Sequence, residues 1–190
     1  MANLKSLLAR NQTVACSQQV SIDCSATTRT RLLNAGQQPE LILVSCADSR
    51  VIPEVIFNCG LGDILMTRDA GNMIGDAEYA TIHYGVFSLG VTTIAVMGHS
   101  NCGAVTAALS ENNDPYLAPV LDNIRASIKA EQKDYSEAQL DVNAAAKLNV
   151  IHQVNWLTGH EILQPLVSSG QITVHGLYYD QETGLVEKLI

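Results

Sequence analysis

The chain has no basic run. Across 190 residues, 11 Lys and Arg stand against 19 Asp and Glu, a formal charge of −8. Phosphate contacts need clustered Lys and Arg, so nucleic acid is excluded as a partner. No apolar stretch approaches the ~20 residues that span a bilayer, which argues against a membrane role. The opening MANLKSLLARNQTV is broken by Lys5 and Arg10; it lacks a signal-peptide core and reads as a helix. Aromatics are scarce, with one Trp and two Phe, so Leu, Ile, Val and Ala must build the core. GxGxxG, P-loop, GxSxG and HExxH motifs are all missing, which removes local support for nucleotide, serine-hydrolase and HExxH-metalloprotease readings. The five cysteines, at 16, 24, 46, 59 and 102, contain no CxxC pair. An odd, irregular set without an export signal points to reduced thiols in a cytoplasmic setting, some of them held by a metal.

What is present is a globular composition, 47% hydrophobic and 16% charged, in one domain with no repeat, low-complexity tract or dividing linker. Residues 1–36 are expected to form an N-terminal helical arm and residues 37–190 an α/β core. Four strands are expected at 41–45, 63–67, 91–97 and 172–178, and the tail YYDQETGLVEKLI adds a turn and a short closing strand. The run LILVS is continuously apolar, as a strand covered on both faces must be. Between the strands, DAEYATIHYGVFSLG and CGAVTAALS carry helical patterns, with Gly90 as a stop for the first. A long helical region spans about 119–167, where Val142, Ala145, Ala146, Val150, Val154 and Leu157 form one buried stripe. The polar piece KAEQKDYSEAQ is its expected solvated junction. Alternating strands and helices give a mostly parallel β-sheet flanked by helices.

Reactive residues gather just past two of these strands. LILVS runs into Cys46, Asp48 and Arg50, and the third strand runs into MGHSNCG, with His99 and Cys102. Ligands of open α/β sheets collect beyond the strands' carboxyl ends. Cys, His and Cys suit Zn²⁺, and three protein ligands leave a fourth position, for water in a catalytic site or for Asp48. Cys59 is a competing fourth thiolate that would close the site into a structural one. Arg50 can hold Asp48 off the metal in a bidentate pair, or be a plain loop ion pair. The other histidines (His83, His152, His160 and His175) have no partner at ligand spacing and read as structural.

CADSR followed by HSNC resembles the β-class carbonic anhydrases. The resemblance extends through GQQP, RDAGNMI, NVIHQVNWLTGHEIL and VHGLYYDQETGLV, from about Gly36 to the end. It implies one Zn²⁺ per chain on Cys46, His99 and Cys102, with Asp48 and Arg50 as the dyad beside it. It also implies a homodimer or dimer of dimers, embraced by the N-terminal helices, with Gln37 and Tyr84 reaching the pocket from the neighbouring chain. The implied reaction is reversible hydration of CO₂ to bicarbonate and a proton by zinc-bound hydroxide. Asp48 would accept the nucleophile's proton in a hydrogen bond, and Gln37 would donate to the forming bicarbonate.

Two positions depart from the family. Where one bacterial subgroup has a Trp in a noncatalytic bicarbonate pocket, this chain has Leu43, although Arg68 and a C-terminal tyrosine (Tyr178 or Tyr179) are present. Asp69 stands where Asn is usual. Hydrolysis of carbonyl sulfide or carbon disulfide at the same ligands is the alternative chemistry, and a non-catalytic zinc-stabilised module the alternative of a different class.

Overall fold

The computed structural model describes residues 4–112, 114–132 and 140–190. In chain order the elements are α1 (Leu4–Ser17), α2 (Ala26–Ala35), β1 (Leu41–Cys46), α3 (Pro53–Ile56) and β2 (Ile64–Asp69). A 3₁₀ turn (Ala70–Asn72) leads to α4 (Asp76–Phe87), β3 (Thr93–His99), α5 (Gly103–Leu109) and α6 (Ala118–Glu131). The chain closes with α7 (Val142–Gly159), α8 (Gln164–Ser168), β4 (Thr173–Tyr179) and β5 (Val186–Lys188).

Five strands form one sheet in the order β2-β1-β3-β4-β5. The first four are parallel, and only β5 runs antiparallel, against β4. This is the mostly parallel, helix-flanked sheet expected from the sequence. Because β2 lies on one side of β1 and β3 on the other, the strand order reverses between β1 and β3. A crevice at the carboxyl ends of that pair is where such sheets bind ligands.

All six residues of β1 are buried. Alternation sends Leu41 and Leu43 to one face, with Phe57, Met97 and Leu177, and Ile42 and Val44 to the other, with Ile82, Val150 and Val154. Burying a Leu, Ile or Val side chain fully contributes about 1.5–3 kcal/mol, so this strand anchors both faces of the core.

The first two helices differ in what they cover. Helix α1 docks on its own chain: Leu4 and Leu7 join the Phe57 cluster. Asn11 fixes it by donating from Nδ2 to Ile56 O (3.1 Å) and Gly184 O (2.9 Å) while accepting from Val186 N–H (2.8 Å). Helix α2 starts at Ser25, whose hydroxyl accepts from Thr28 N–H (3.2 Å), and it leaves Leu33 84% exposed. The expected helical region 119–167 is three helices, α6, α7 and α8. Most of its expected polar junction lies outside the described residues.

Candidate metal centre

Each reactive residue is placed by backbone pairing. Cys46 is the last residue of β1, opposite Asp69 of β2, and His99 is the last of β3, opposite Tyr179 of β4. Cys102 is the N-cap of α5. These three are buried, at 4%, 0% and 1% exposure. Their donor atoms lie within 4.8 Å of one another and form the single such group of three or more among the described residues.

The two sulfurs are 4.0 Å apart. A tetrahedral ion with Zn–S bonds of about 2.3 Å needs sulfurs about 3.8 Å apart, so the spacing fits zinc. His99 Nδ1 lies 2.9 Å from Ser100 O and, as N–H, donates to it; the Gln181 side-chain amide is 3.3 Å away. That leaves the lone pair on Nε2, which is fully buried and has no partner. An orphaned ring nitrogen facing two thiols is what a metal ligand set looks like without its ion.

Electrostatics point the same way. The Cys46 thiol is pulled down because Cys102 donates to it; His99 and the N–H groups of Asp48 and Gly71 add to this, against the push of burial. Cys102 is pushed up, by that same donation and then by burial. The two thiols thus act on each other in opposite directions, and a cation between them would favour the thiolate form of both.

Asp48 sits beside this group without joining it. Its Oδ1 accepts from Arg50 N–H and Nε–H, both at 2.9 Å, and its Oδ2 accepts from Nη2 at 2.7 Å. The same Nη2 reaches Asn101 O at 3.3 Å. The Arg50 guanidinium holds the carboxyl well below the usual carboxylate range. Asp48 Oδ2 is nevertheless 4.0 Å from His99 Nε2, close enough to face whatever occupies the open position.

Gln37 and Tyr84 are not brought to this centre within one chain. Both are exposed, Tyr84 at 46%, and neither hydrogen-bonds to the donor group or to the dyad among the described residues. Cys59 also stands apart: it is buried in the Phe57 cluster rather than with Cys46 and Cys102, 3.6 Å from Arg10 Nη1. The remaining histidines take structural places. His83 packs on Phe87, His152 pairs with Glu131, His160 meets the Tyr79 hydroxyl at 3.0 Å, and His175 lies in β4. A cleft of about 720 Å³ between α1 and the β4–β5 hairpin contains none of the donors.

Sequence reasoning missed three supports. Arg68 spends its guanidinium on backbone carbonyls of the loop after β1: Cys46 O (2.9 Å), Asp48 O (2.8 Å) and Val51 O (2.8 Å). Its Nε and Nη2 donors are thus committed to the loop. Gly71 donates its N–H to Cys46 Sγ at 3.3 Å, and Asn149 donates to Gly71 O at 2.7 Å. Asp69, the other departure, caps the 3₁₀ turn by accepting from Ala70 N–H (2.7 Å).

A mostly parallel sheet carrying a buried Cys-His-Cys donor set at its switch point defines an α/β protein with a metal-capable site. The carbonic anhydrase family model matches residues 41–186. A Pseudomonas aeruginosa carbonic anhydrase is 33% identical over 169 residues, 83% of this chain and 76% of that protein. The chain therefore belongs to the carbonic anhydrase family, in its β class. Carbonic anhydrase 2 of Mycobacterium tuberculosis is 42% identical over 107 residues, 54% of this chain and 52% of that protein. The match thus spans about half the length of that relative. Among solved structures, a Coccomyxa β-carbonic anhydrase in complex with acetazolamide superposes with a TM-score of 0.76 at 31% identity, covering 100% of this chain and 87% of that one. One of two tetrameric β-carbonic anhydrases from Sordaria macrospora gives 0.74 at 25% identity, covering 96% and 94%.

Proposed function

We propose that this protein is a zinc-dependent carbonic anhydrase that interconverts CO₂ and water with bicarbonate and a proton. The observation that carries the reading is the buried Cys46–His99–Cys102 group, with its unpartnered Nε2 and the Asp48 carboxylate parked 4.0 Å away. Zinc held by these residues would supply Lewis acidity that activates water as a nucleophile, less strongly than beside three neutral imidazoles because two thiolates cancel its formal charge.

The chain's own residues do the rest. Asp48, kept ionised by Arg50, is acceptor-only, so Oδ2 takes the hydrogen bond of the attacking water and turns a lone pair toward CO₂. Arg50 holds both carboxylate oxygens, which keeps Asp48 from occupying the open position itself. The Nδ1–H bond to Ser100 O fixes the His99 ring and its tautomer. Gln37 and Tyr84 serve the site of a neighbouring chain in a homodimer or dimer of dimers; their exposure in the single chain supports this. There Gln37 donates to the developing bicarbonate oxygen. The partner-facing role of the N-terminal arm falls to α2, whose Leu33 has no cover in its own chain. Cytoplasmic residence fits cysteines that are all free thiols, and no described helix is long and apolar enough to cross a membrane.

The test is stopped-flow CO₂ hydration beside metal analysis, on wild type and Cys46→Ala. The wild type is expected to carry one zinc per chain and to turn over CO₂, and the variant to lose both. Metal-free yet fully folded wild type would sink the reading. Carbonyl sulfide assayed on the same preparation separates the two substrate chemistries.

A further inference from the structure

Helix α7 carries an apolar stripe of Ala145, Ala146, Val150, Val154 and Leu157, and Asn149 interrupts it at 0% exposure. A polar group in such a place is retained only with a partner and a reason. Its partner is Gly71 O, 2.7 Å from Asn149 Nδ2 and 78 positions away in sequence. Its Oδ1 has none.

Gly71 is itself unusual. Its backbone is left-handed (φ 70°, ψ 24°). A Cβ there would lie 2.6 Å from Ile124 Cδ1, so no other residue fits without displacement. The following residue, Asn72, is also left-handed at φ 49°, a conformation that asparagine tolerates better than most residues. With its carbonyl held by Asn149, Gly71 aims its N–H at Cys46 Sγ, 3.3 Å away.

We propose that Asn149 is a positioning residue: through Gly71 it holds a backbone N–H on the Cys46 sulfur and so sets how strongly that thiolate donates to the metal. This rests on the zinc reading above. A hydrogen bond to a ligand sulfur draws negative charge off it, and the ion keeps more of its positive charge. With two thiolates cancelling the formal charge of a divalent ion, each such N–H matters more than it would beside neutral imidazoles. Asn suits the task because it donates without charge. A carboxylate would repel Gly71 O, and an apolar side chain would leave that carbonyl unpaired in the core.

The experiment uses the full-length protein loaded with a spin-active cadmium isotope. Magnetic coupling is read between cadmium and the Gly71 amide proton, and zinc affinity is read by chelator competition. Wild type is expected to show the coupling. Asn149→Leu, which keeps the volume, and Asn149→Asp, which keeps the shape, are expected to lose it. Without that N–H the Cys46 thiolate is less well stabilised against protons and less firmly placed, so zinc should bind about 10–100-fold more weakly. Should one variant not fold, the other decides. A wild type that binds metal without coupling overturns the inference, as does a folded variant with coupling and affinity retained. A wild type that binds no metal at all overturns the zinc reading instead, so the two failures are distinguishable.

Discussion

Replacing Arg68 by Met keeps the side-chain stem and removes the guanidinium. Three charge-assisted bonds go with it, to the carbonyls of Cys46, Asp48 and Val51. Bonds of this kind contribute roughly 1.5–3 kcal/mol in protected surroundings. Arg68 is itself exposed, so solvent competes, and about 1 kcal/mol is appropriate for each of the two part-buried ones. The sum is about 2 kcal/mol, or about 4–8 °C of melting temperature for a domain this size.

The functional consequence is larger than the loss of stability. The tethered loop carries a proposed metal ligand at one end and the proposed dyad in its middle, and misplacing reacting groups by about 1 Å costs on the order of 100-fold in rate. Arg68 touches no substrate in the proposed mechanism, so kcat should fall while KM stays nearly constant. Arg68→Lys should recover only part, since one ammonium on a flexible stem cannot span three carbonyls. Chemical denaturation of the zinc-saturated protein and steady-state CO₂ hydration check both arms. Full stability and full kcat in Arg68→Met, with only bicarbonate sensitivity altered, would refute the tether and return Arg68 to an anion pocket.

In Arg50→Ala, Asp48 loses the partner that depresses its pKa. A carboxyl lowered in the fold stabilises it above the ordinary carboxylate pKa and ceases to as pH falls through the lowered value, so the variant should forfeit this contribution and unfold at higher pH than wild type. Its neutral-pH activity should drop at least about tenfold with zinc retained; undiminished turnover would rule out the dyad. Cys59 is pushed up to about 11 by burial and stays a thiol at neutral pH. Cys59→Ser should keep zinc and activity, at about 1–2 kcal/mol in stability for a newly buried hydroxyl, and zinc loss in that variant would mean a closed four-ligand site. Gly85→Ala should gain about 1 kcal/mol of helix propensity. The new methyl would sit 2.6–2.8 Å from Ile42 and Leu65, and overpacking costs about 1–3 kcal/mol, so denaturation should show net destabilisation. A more stable variant would mean that α4 yields freely against the sheet.

Some of this was legible because it is written in side chains. The continuous run 41–45 marks a doubly covered strand, and the helical pattern of 76–90 marks α4, which closes at Phe87 with Ser88 as its cap rather than at Gly90. The strand ends were placed early, however. The third strand was expected to stop at Met97, yet pairing continues through Gly98 and His99, opposite Tyr178 and Tyr179. Ladders are built from main-chain groups and do not end where apolarity ends. The candidate donors Cys46 and His99 are therefore terminal strand residues, held more rigidly than loop residues would be. Gln37 and Tyr84 mark the opposite limit, since the roles proposed for them depend on a second chain and the single chain leaves both at its surface.

The supports of the metal centre were illegible for a related reason. Gly71 acts through an N–H that every residue but proline possesses, and Arg68 acts on three carbonyls that carry no identity at all. Asn149 is a polar residue at helical spacing within the buried stripe of α7, and an apolar-periodicity reading passes over it by construction. The asymmetry has a physical origin: metal donors must be particular side chains, whereas the groups that aim them need only be dipoles in the right place. A donor set can thus be found from a sequence through its chemistry, while the strength with which each donor grips the ion depends on backbone geometry set by contacts as distant as Asn149 is from Gly71.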